Sequence, residues 1–276
     1  MHKVAESPIG DRSPVVLRSG GEPLPHAACL THMDARREQP ACAAIFGASG
    51  GIGRALVETL AAAGTRRIYA GSRSGQVPTG DAVSAFRFDY DEPGSVAEAV
   101  SGMAGDPPQL VIVATGVLTL ADGSGPERSY RHLDPATMER VLRINTIGPA
   151  LVASHILPLF PRSERAVFAA LSARVGSIGD NRIGGWHSYR ASKAALNMLV
   201  KNFAIELART HLHAVAISLH PGTVDTGLSQ PFQSNLPDGQ LTDARDAADN
   251  LLRVIAGLGP QDSGGHFDWR GERVPD

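Results

Sequence analysis

The sequence predicts an α/β fold in which one parallel sheet is covered by helices on both faces. Short apolar runs alternate with segments whose apolar residues recur at helical spacing. Residues 110–114 are apolar at every position, as expected of a strand buried on both faces of a parallel sheet. The composition, 42% hydrophobic but only 5% aromatic over 276 residues, suits one core of small aliphatic side chains. We therefore expect one large domain rather than two.

The first predicted unit is a strand over residues 41–46, a glycine turn and a helix over residues 54–60. We expect Gly47 to permit the tight turn, Gly51 to let the backbone approach a pyrophosphate, and Gly53 to let the helix lie against the strand. Glycine-rich runs also occur in ordinary loops, and the position between strand and helix favours the nucleotide site. Free N–H groups at the helix start would then face phosphates. The expected binding residues here are Gly47, Ser49, Gly50, Gly51, Ile52 and Gly53.

The end of the second predicted strand, over residues 66–71, indicates which dinucleotide binds. NAD-preferring enzymes place a carboxylate there to accept hydrogen bonds from the ribose 2′-hydroxyl. This chain has Ser72 and Arg73 instead. A guanidinium pairs with a 2′-phosphate that a carboxylate would repel, so the sequence predicts NADP(H). An ordinary solvated loop charge is the alternative for Arg73.

Tyr189 and Lys193 lie four residues apart, so on a helix both side chains leave the same face. A phenol has an ordinary pKa of about 10 and is a poor acid or base at neutral pH. An adjacent cation favours the phenolate, and we expect Lys193 to lower the pKa of Tyr189 toward the working range. A solvated lysine beside a half-buried tyrosine is the alternative, because many surface helices carry this pair.

Together, the Gly-x-x-x-Gly-x-Gly and Tyr-x-x-x-Lys patterns resemble the short-chain dehydrogenase/reductase family from about residue 41 to the C-terminus. Further stretches match that family in order: Asp89, residues 114–116, Asn145, Ser172 and residues 221–226. Residues 172–178, 184–186 and 265–269 look like the branch that includes the C-factor and sniffer-type carbonyl reductases. The resemblance implies a single Rossmann-type doubly wound parallel sheet of about seven strands, in one domain over residues 41–276.

The resemblance also implies a mechanism. Tyr189 would give a proton to a carbonyl that receives a hydride from NADPH, and Lys193 would hold the nicotinamide ribose. Asn145 would belong to a water relay, in a helix kinked by Gly148 and Pro149. Asp89 would meet the adenine amino group with Tyr90 beside it, although Asp at a strand end is often a cap or turn former. Beyond the glycine turn, the implied cofactor contacts are Ser72, Arg73, Asp89, Tyr90, Ala114, Thr115, Gly116, Tyr189, Lys193, Pro221, Gly222, Val224 and Thr226.

The chain departs from the family pattern at the catalytic serine. The family ends this strand in two serines and uses the second, whereas this chain has Ser172 followed by Ala173. The usual interval of thirteen residues before the tyrosine points to Gly176. We place Ser172 first and Ser177 second as the group that polarises the substrate oxygen. If neither reaches the substrate, the rate should be lower by the order of 10²-fold.

A smaller departure follows the fourth strand. The family usually has Asn-Asn-Ala-Gly there, and this chain has Ala114, Thr115 and Gly116. The asparagine contact is therefore lost or replaced by Thr115.

Charge, cysteine and hydropathy patterns exclude several classes. The net charge of −2 comes without a basic stripe, so no nucleic-acid partner is expected. The two cysteines, Cys29 and Cys42, form no disulfide framework, which favours a reducing, cytoplasmic setting. No apolar run reaches the roughly 20 residues that span a bilayer, and we expect no membrane partner. The histidines form no ligand pattern, and no metal is predicted.

Two segments carry composition-based expectations. Residues 1–40 are rich in Pro, Ser, Gly, His and Arg, and we interpret them as a disordered extension. A cloning remnant, sequence upstream of a start near Met33, or an arm on a neighbouring subunit are the alternatives. Residues 227–241 are expected to form a mobile lid over the substrate. By the resemblance, the small and apolar residues of 194–209 are typical of a homo-oligomer interface, and packing inside one subunit is the alternative.

The resulting hypothesis is an NADP-dependent carbonyl reductase or alcohol dehydrogenase that acts on a small carbonyl or alcohol. A nucleotide-binding signalling or regulatory protein of the C-factor type, with little turnover, is the alternative. An epimerase or dehydratase fits less well, because those enzymes usually need a larger substrate domain than the part of the chain after Thr226.

Overall fold

The computed structural model describes residues 39–234 and 241–276. Seven parallel strands form the main sheet in the order β3-β2-β1-β4-β5-β6-β9, which confirms the predicted doubly wound parallel sheet. These strands are β1 Cys42–Phe46, β2 Arg67–Ser72, β3 Val83–Arg87, β4 Leu110–Val113, β5 Ala166–Leu171, β6 Ala214–His220 and β9 His266–Asp268. A separate pair joins β7 Thr223–Val224 to β8 Leu241–Thr242.

Helices cover both faces of the sheet because successive strand residues point to opposite sides. In β1, Ala43 and Ile45 pack with the helices Gly51–Ala62 and Ala244–Gly257 on one face, whereas Ala44 and Phe46 pack with three helices on the other. Every residue of β1 is buried. The helices are α1 Gly51–Ala62, α2 Pro93–Ser101, α3 Pro135–Leu142, α4 Gly148–Ile156, α5 His187–Leu207 and α6 Ala244–Gly257.

Local sequence signals set several helix ends. Asp134 precedes α3 and accepts a hydrogen bond from Thr137 N–H at 2.8 Å, and Pro135 occupies the first turn, where no N–H is needed. Gly64 follows α1 with φ +89°, a left-handed conformation that glycine adopts without strain.

A π-helical turn, Arg143–Ile147, joins α3 to α4. We expected Gly148 and Pro149 to kink this segment, and the irregular turn lies directly before them. Gly148 is needed for packing, because a Cβ there would lie 2.3 Å from Cδ2 of Tyr90.

Some sequence-based expectations concern residues outside those described. The expected disordered extension falls almost wholly on residues 1–38, and the expected lid includes residues 235–240; neither range is described. The described part of the lid contains a 3₁₀ turn, Gln230–Phe232. Among the described helices, none is long and apolar enough to cross a bilayer.

Candidate active site

A cavity of about 380 Å³ lies where strands β4, β5 and β6 end. Parallel strands bring their carboxyl ends to one edge of the sheet, so residues distant in sequence meet there. Eleven of the predicted site residues line this cavity: Ile52, Ala114, Thr115, Gly116, Ser172, Tyr189, Lys193, Pro221, Gly222, Val224 and Thr226.

Tyr189 and Lys193 enter the cavity from α5. Both side chains are buried, with relative exposures of 8% and 3%. The Nζ atom of Lys193 lies 5.7 Å from the centroid of the Tyr189 ring and donates a hydrogen bond to the carbonyl oxygen of Leu171 at 2.8 Å. The ammonium is therefore anchored to the end of β5, beside the phenol.

Burial dominates the titration of both groups. It raises the pKa of Tyr189 to about 12 and lowers the pKa of Lys193 to about 8. The expected lowering of the tyrosine pKa is therefore wrong for this structure, because desolvation of the phenolate prevails. At neutral pH Tyr189 is a protonated donor, and most Lys193 side chains keep their charge.

The structure separates the two candidate serines. Ser172 is buried and lines the cavity, and its Oγ has no hydrogen-bond partner among the described residues. Ser177 does not line the cavity, and its Oγ accepts a hydrogen bond from Asp180 N–H at 3.0 Å. Gly176, at the usual interval from the tyrosine, packs against α5, where an added Cβ would lie 2.7 Å from Cβ of Lys193. The fold therefore brings Ser172 to Tyr189 and leaves Ser177 outside.

Asn145 lies in the π-helical turn and is fully buried. Its Oδ1 accepts from Val117 N–H at 2.8 Å, and its Nδ2 donates to Val117 O at 2.9 Å and to Ser192 Oγ at 3.1 Å. These bonds tie the turn to the loop after β4 and to α5 next to Lys193. Pro149 has no N–H to donate to the carbonyl oxygen of Asn145, four residues earlier.

The glycine turn after β1 is packed tightly beneath neighbouring segments. Gly47 has φ +96°, and a Cβ there would lie 2.9 Å from the backbone nitrogen of Thr115. A Cβ on Gly53 would lie 2.1 Å from Gly47 O, so helix and turn meet only through glycine. A Cβ on Gly51 would lie 2.5 Å from Cγ2 of Thr226. Gly51 thus also makes room for the segment after β6, a contact the sequence pattern does not contain.

The N-terminus of α1 is open at this turn. Its N-cap is Gly50, which supplies no side-chain hydrogen bond to the first-turn N–H groups, and no carboxylate lies in that turn. Ser49 and Gly50 are exposed. Such a terminus favours an anion.

Ser72 ends β2 and Arg73 follows it, and neither residue lines the cavity. Ser72 is buried, and its hydroxyl donates to Gln76 O at 3.1 Å. Arg73 is exposed. Together with Arg140 and Arg143 it forms a positive cluster around Asp91, whose pKa is lowered, first by the Arg140 hydrogen bond and then by the three positive charges.

Asp89 and Tyr90 do not join the cavity. Oδ1 of Asp89 accepts from Asp91 N–H at 3.0 Å, the turn-forming role named as its alternative. Tyr90 is 7% exposed, packs against Phe88 with ring centroids 5.3 Å apart, and bonds through its OH to Thr115 Oγ1 at 2.9 Å. The ring is thus part of the hydrophobic core, and its expected place beside an adenine stays a prediction.

Comparison with known proteins identifies the family of this chain. The sequence model of the family described as short chain dehydrogenase matches residues 41–237. The chain belongs to the short-chain dehydrogenase family. The resemblance found in the motifs is thus confirmed, and the protein is an oxidoreductase of that family.

One sequence relative and two solved structures are similar to this short-chain dehydrogenase. The C-signal protein of Myxococcus xanthus is 39% identical over 143 residues, which are 52% of this chain and 81% of that protein. The carbonyl reductase Sniffer of D. melanogaster has a TM-score of 0.73 at 20% identity and covers 86% of this chain and 99% of its own. The NADPH-bound carbonyl reductase from chicken fatty liver has a TM-score of 0.72 at 23% identity, with 86% and 94% covered. At such identities the two structures show a shared fold.

Sequence reasoning missed Glu127 of this short-chain dehydrogenase. Its carboxylate is buried and accepts hydrogen bonds from the hydroxyl and from the backbone N–H of Ser188, the residue before Tyr189. Its carbonyl oxygen accepts from Trp186 N–H at 2.5 Å. Nothing in the sequence signals this contact, because the partners lie 61 residues apart.

The sequence also did not reveal the aromatic wall, which we define as Trp186, Tyr189 and Phe232. The Trp186 ring lies 6.2 Å from that of Tyr189 and 5.2 Å from that of Phe232, between centroids. Trp186 has φ +51°, uncommon for a side chain of this size. Leu118 and Val175 extend the same apolar surface. This short-chain dehydrogenase therefore presents an apolar, partly aromatic wall beside its phenol.

Proposed function

We propose that this short-chain dehydrogenase is an NADP(H)-dependent carbonyl reductase or alcohol dehydrogenase with Tyr189 as its acid and base. One observation carries the proposal. Tyr189, Lys193 and Ser172 line a single cavity, next to the glycine turn and the strand ends where α/β sheets bind ligands. A proton donor, a cation and a free hydroxyl are the groups that carbonyl reduction needs.

The chain's residues fit NADP(H). The uncapped start of α1 suits a pyrophosphate, and the close packing of Gly47, Gly51 and Gly53 leaves backbone rather than side chains at that surface. At the end of β2 the chain has Ser72 and exposed Arg73 and no carboxylate, which favours a 2′-phosphate. The NADPH-bound carbonyl reductase among the structural neighbours supports the same choice.

The roles follow from burial and contacts. A bound NADPH supplies the hydride that reduces the carbonyl carbon. Tyr189, protonated at neutral pH, gives its proton to the carbonyl oxygen, so the substrate gains one hydride and one proton and becomes an alcohol. Ser172, whose hydroxyl is unengaged by the described residues, donates to the same oxygen.

Lys193 and Asn145 complete the site. The Lys193 ammonium, held by Leu171 O, stabilises the phenolate that remains after proton transfer and binds the nicotinamide ribose. Water near Asn145 returns the proton to Tyr189, and the side-chain bonds of Asn145 fix the backbone there.

The test measures NADPH consumption against a panel of aldehydes and ketones, with Tyr189→Phe as the matched variant. We expect turnover by the parent protein, loss of turnover in Tyr189→Phe, and unchanged NADPH binding in both. Absence of turnover in the parent across the panel would reject the proposal. Arg73→Gln should raise the KM for NADPH and leave the KM for NADH unchanged.

A second candidate function is a nucleotide-binding signalling or regulatory protein with little turnover. It is favoured by the C-signal relative and by Ala173, which stands where the family has its second serine. NADPH binding without turnover in the parent would support this candidate.

A further inference from the structure

One charged side chain at the cavity has no role in the proposed chemistry. Arg174 lines the cavity and is exposed at its rim. Among the described lining residues, Arg174 and Lys193 carry positive charge, and none is Asp or Glu. Lys193 is buried, donates a hydrogen bond to Leu171 O and is assigned to the nicotinamide ribose in the proposed chemistry. Arg174, which is paired with Asp180, is therefore the charged lining residue at the rim among those described.

The backbone places Arg174 beside the reacting groups. Ala173 is extended, with φ −151° and ψ +147°, so the side chains of Ser172 and Arg174 leave on the same side of the chain. Two extended residues span roughly 7 Å. That separation matches the length of a small molecule with a carbonyl at one end and an anionic group at the other.

Asp180 orients the Arg174 guanidinium through Nε and leaves its two terminal nitrogens available to another acceptor. Nε of Arg174 donates to Oδ2 of Asp180 at 2.6 Å, and Asp180 is itself held by Ser177. Among the described residues, no hydrogen bond engages the two terminal nitrogens of Arg174. A guanidinium held through Nε presents these nitrogens as a fork, the geometry that binds a carboxylate through two parallel bonds.

The positive charge is on the substrate side rather than the nucleotide side. Arg174 follows β5, whereas the glycine turn follows β1, and β4 lies between them in the sheet. The Arg174 charge also reaches His220, which lines the cavity. Burial is the main cause that lowers the pKa of His220 to about 4, and the Arg174 charge lowers it further.

We propose that Arg174 binds a carboxylate on the substrate, and that the natural substrate is a compact carbonyl compound with an anionic group at one end and an apolar or aromatic body. The body lies against the aromatic wall, Leu118 and Val175. The inference rests on the proposed carbonyl reduction and adds the substrate class to it. The cavity of about 380 Å³ is at the small end for ligand sites and is also lined by the expected nicotinamide contacts Gly222 and Thr226, so the room left for a substrate suits a compact molecule.

The kinetic test compares two aldehydes of similar shape, 4-formylbenzoate and its neutral methyl ester. We expect kcat/KM to favour the acid by about 5- to 10-fold, a modest factor because Arg174 is half exposed and shared with Asp180. Arg174→Gln should remove this preference by raising the KM for the acid, with a smaller change in the KM for the ester. Arg174→Lys should keep part of it. Added salt should weaken it.

Arg182→Gln is the matched control. Arg182 lies in the same loop, is exposed and does not line the cavity, so its variant should keep the preference for the acid. An equal kcat/KM for acid and ester in the parent, or a preference that survives Arg174→Gln, would overturn the subsite and leave carbonyl reduction intact. Turnover of neither aldehyde would count against the proposed function instead.

A binding measurement tests the subsite without turnover. Benzoate and benzamide have the same shape and differ in charge, and their binding can be followed by the change in tryptophan fluorescence, to which Trp186 in the cavity wall and Trp269 both contribute. Benzoate should bind the parent about 5- to 10-fold more tightly than benzamide, and Arg174→Gln should bind both equally. Equal binding of the two compounds by the parent, or binding of neither, refutes the anion subsite.

Discussion

Glu127 and Ser188 form a buried pair at the first turn of α5, in which both the hydroxyl and the backbone N–H of Ser188 donate to one carboxylate. The N-cap position itself is Trp186, whose side chain makes no capping bond. A carboxylate supplied from a distant loop therefore satisfies the start of the helix and favours its positive end. The pair fixes the backbone one residue before Tyr189, so the position of the phenol depends on the packing of the loop that contains Glu127.

Glu127→Gln should lower both stability and turnover. The amide keeps the shape but has one acceptor and places an N–H group near the donors of Ser188, so we expect a loss of about 1–3 kcal/mol in the free energy of unfolding. Turnover should fall because Tyr189 adjoins the disturbed turn. Urea denaturation and kcat measure the two effects. Glu139→Gln, an exposed site on α3, should change stability by less than about 0.5 kcal/mol. Equal effects of the two variants would contradict the capping role.

The same pair predicts a pH dependence of stability. Burial alone would raise the pKa of Glu127, but the hydrogen bonds from Ser188 and from the backbone of Glu127, together with the nearby His187, outweigh burial and hold the pKa below its ordinary value. The folded protein thus binds this proton more weakly than the unfolded chain. The stabilisation is present above the unfolded pKa of about 4.3 and is lost as pH falls through the folded value. The stability gap between the parent and Glu127→Gln should therefore narrow from pH 7 toward pH 3. A stability difference between the two proteins that stays constant from pH 7 to pH 3 would refute the lowered pKa of Glu127.

The two serines should behave differently when replaced by alanine. Ser172→Ala removes the buried cavity hydroxyl and should lower kcat by the order of 10²-fold, with little change in NADPH binding. Ser177→Ala removes only the acceptor for Asp180 N–H and should leave kcat within about twofold while costing about 0.5–1.5 kcal/mol of stability. Steady-state kinetics and urea denaturation separate the two. The reverse pattern would identify Ser177 as the polarising group.

Local signals explain how much of the fold the sequence predicts. Strands β1 and β4 lie within one residue of their predicted bounds, because short and fully apolar runs between polar segments are typical of buried parallel strands. Asp134 and Pro135 mark the start of α3 through capping that involves only neighbouring residues. The family follows from motifs that are themselves local. The expected homo-oligomer stays a prediction.

The features that were not predicted depend on contacts between distant segments. Tyr90 directly follows Asp89, yet packing against Phe88 and a bond to Thr115 draw its ring into the core. The pKa of Tyr189 depends on how completely α5 is covered, which no four-residue pattern contains. The aromatic wall brings Trp186 next to Phe232 of a different loop. Each of these needs the assembled fold.

Alanine substitutions in the glycine turn should separate packing from phosphate binding. A Cβ on Gly53 meets the backbone oxygen of Gly47 at 2.1 Å, so Gly53→Ala forces the backbone apart and should cost more than about 2 kcal/mol. A Cβ on Gly51 meets a side chain, Cγ2 of Thr226, at 2.5 Å. Gly51→Ala should cost less stability and mainly raise the KM for NADPH. Thermal and urea denaturation, with nucleotide titration, measure these effects.

The clash at Gly51 also predicts a rescue. Thr226→Ser removes the methyl group that an alanine at position 51 would strike, so the double variant should recover at least half of the stability lost in Gly51→Ala. Gly94→Ala, in the first turn of α2 with nothing within 4 Å of its added Cβ, should cost nothing. Additive effects of the two substitutions would show that Thr226 does not set the requirement for glycine at position 51.

Lys193 is expected to lower the free energy of unfolding of the protein, although it is needed for the proposed turnover. Burial lowers its pKa to about 8, so below that pH the folded state holds a desolvated charge that the unfolded chain leaves in water. The cost is about 3 kcal/mol, and its hydrogen bond to Leu171 O returns about 1 kcal/mol. Lys193→Met should therefore be more stable than the parent at pH 7 by about 2 kcal/mol, with turnover lower by more than 10²-fold.

Because the pKa of Lys193 is lowered in the folded protein, the destabilisation by Lys193 should decrease as pH rises. Between pH 8 and about 10.4 the unfolded chain keeps a proton on Lys193 that the folded protein releases, so the parent gains stability as pH rises. The advantage of Lys193→Met should shrink over that range, whereas Lys201→Met, exposed on the same helix, should match the parent throughout. Urea denaturation at pH 7, 8.5 and 10 measures all three proteins. The prediction would be contradicted if Lys193→Met is less stable than the parent at pH 7, or if the stability difference between them does not change with pH. Either result would mean that the buried Lys193 ammonium does not destabilise the folded protein.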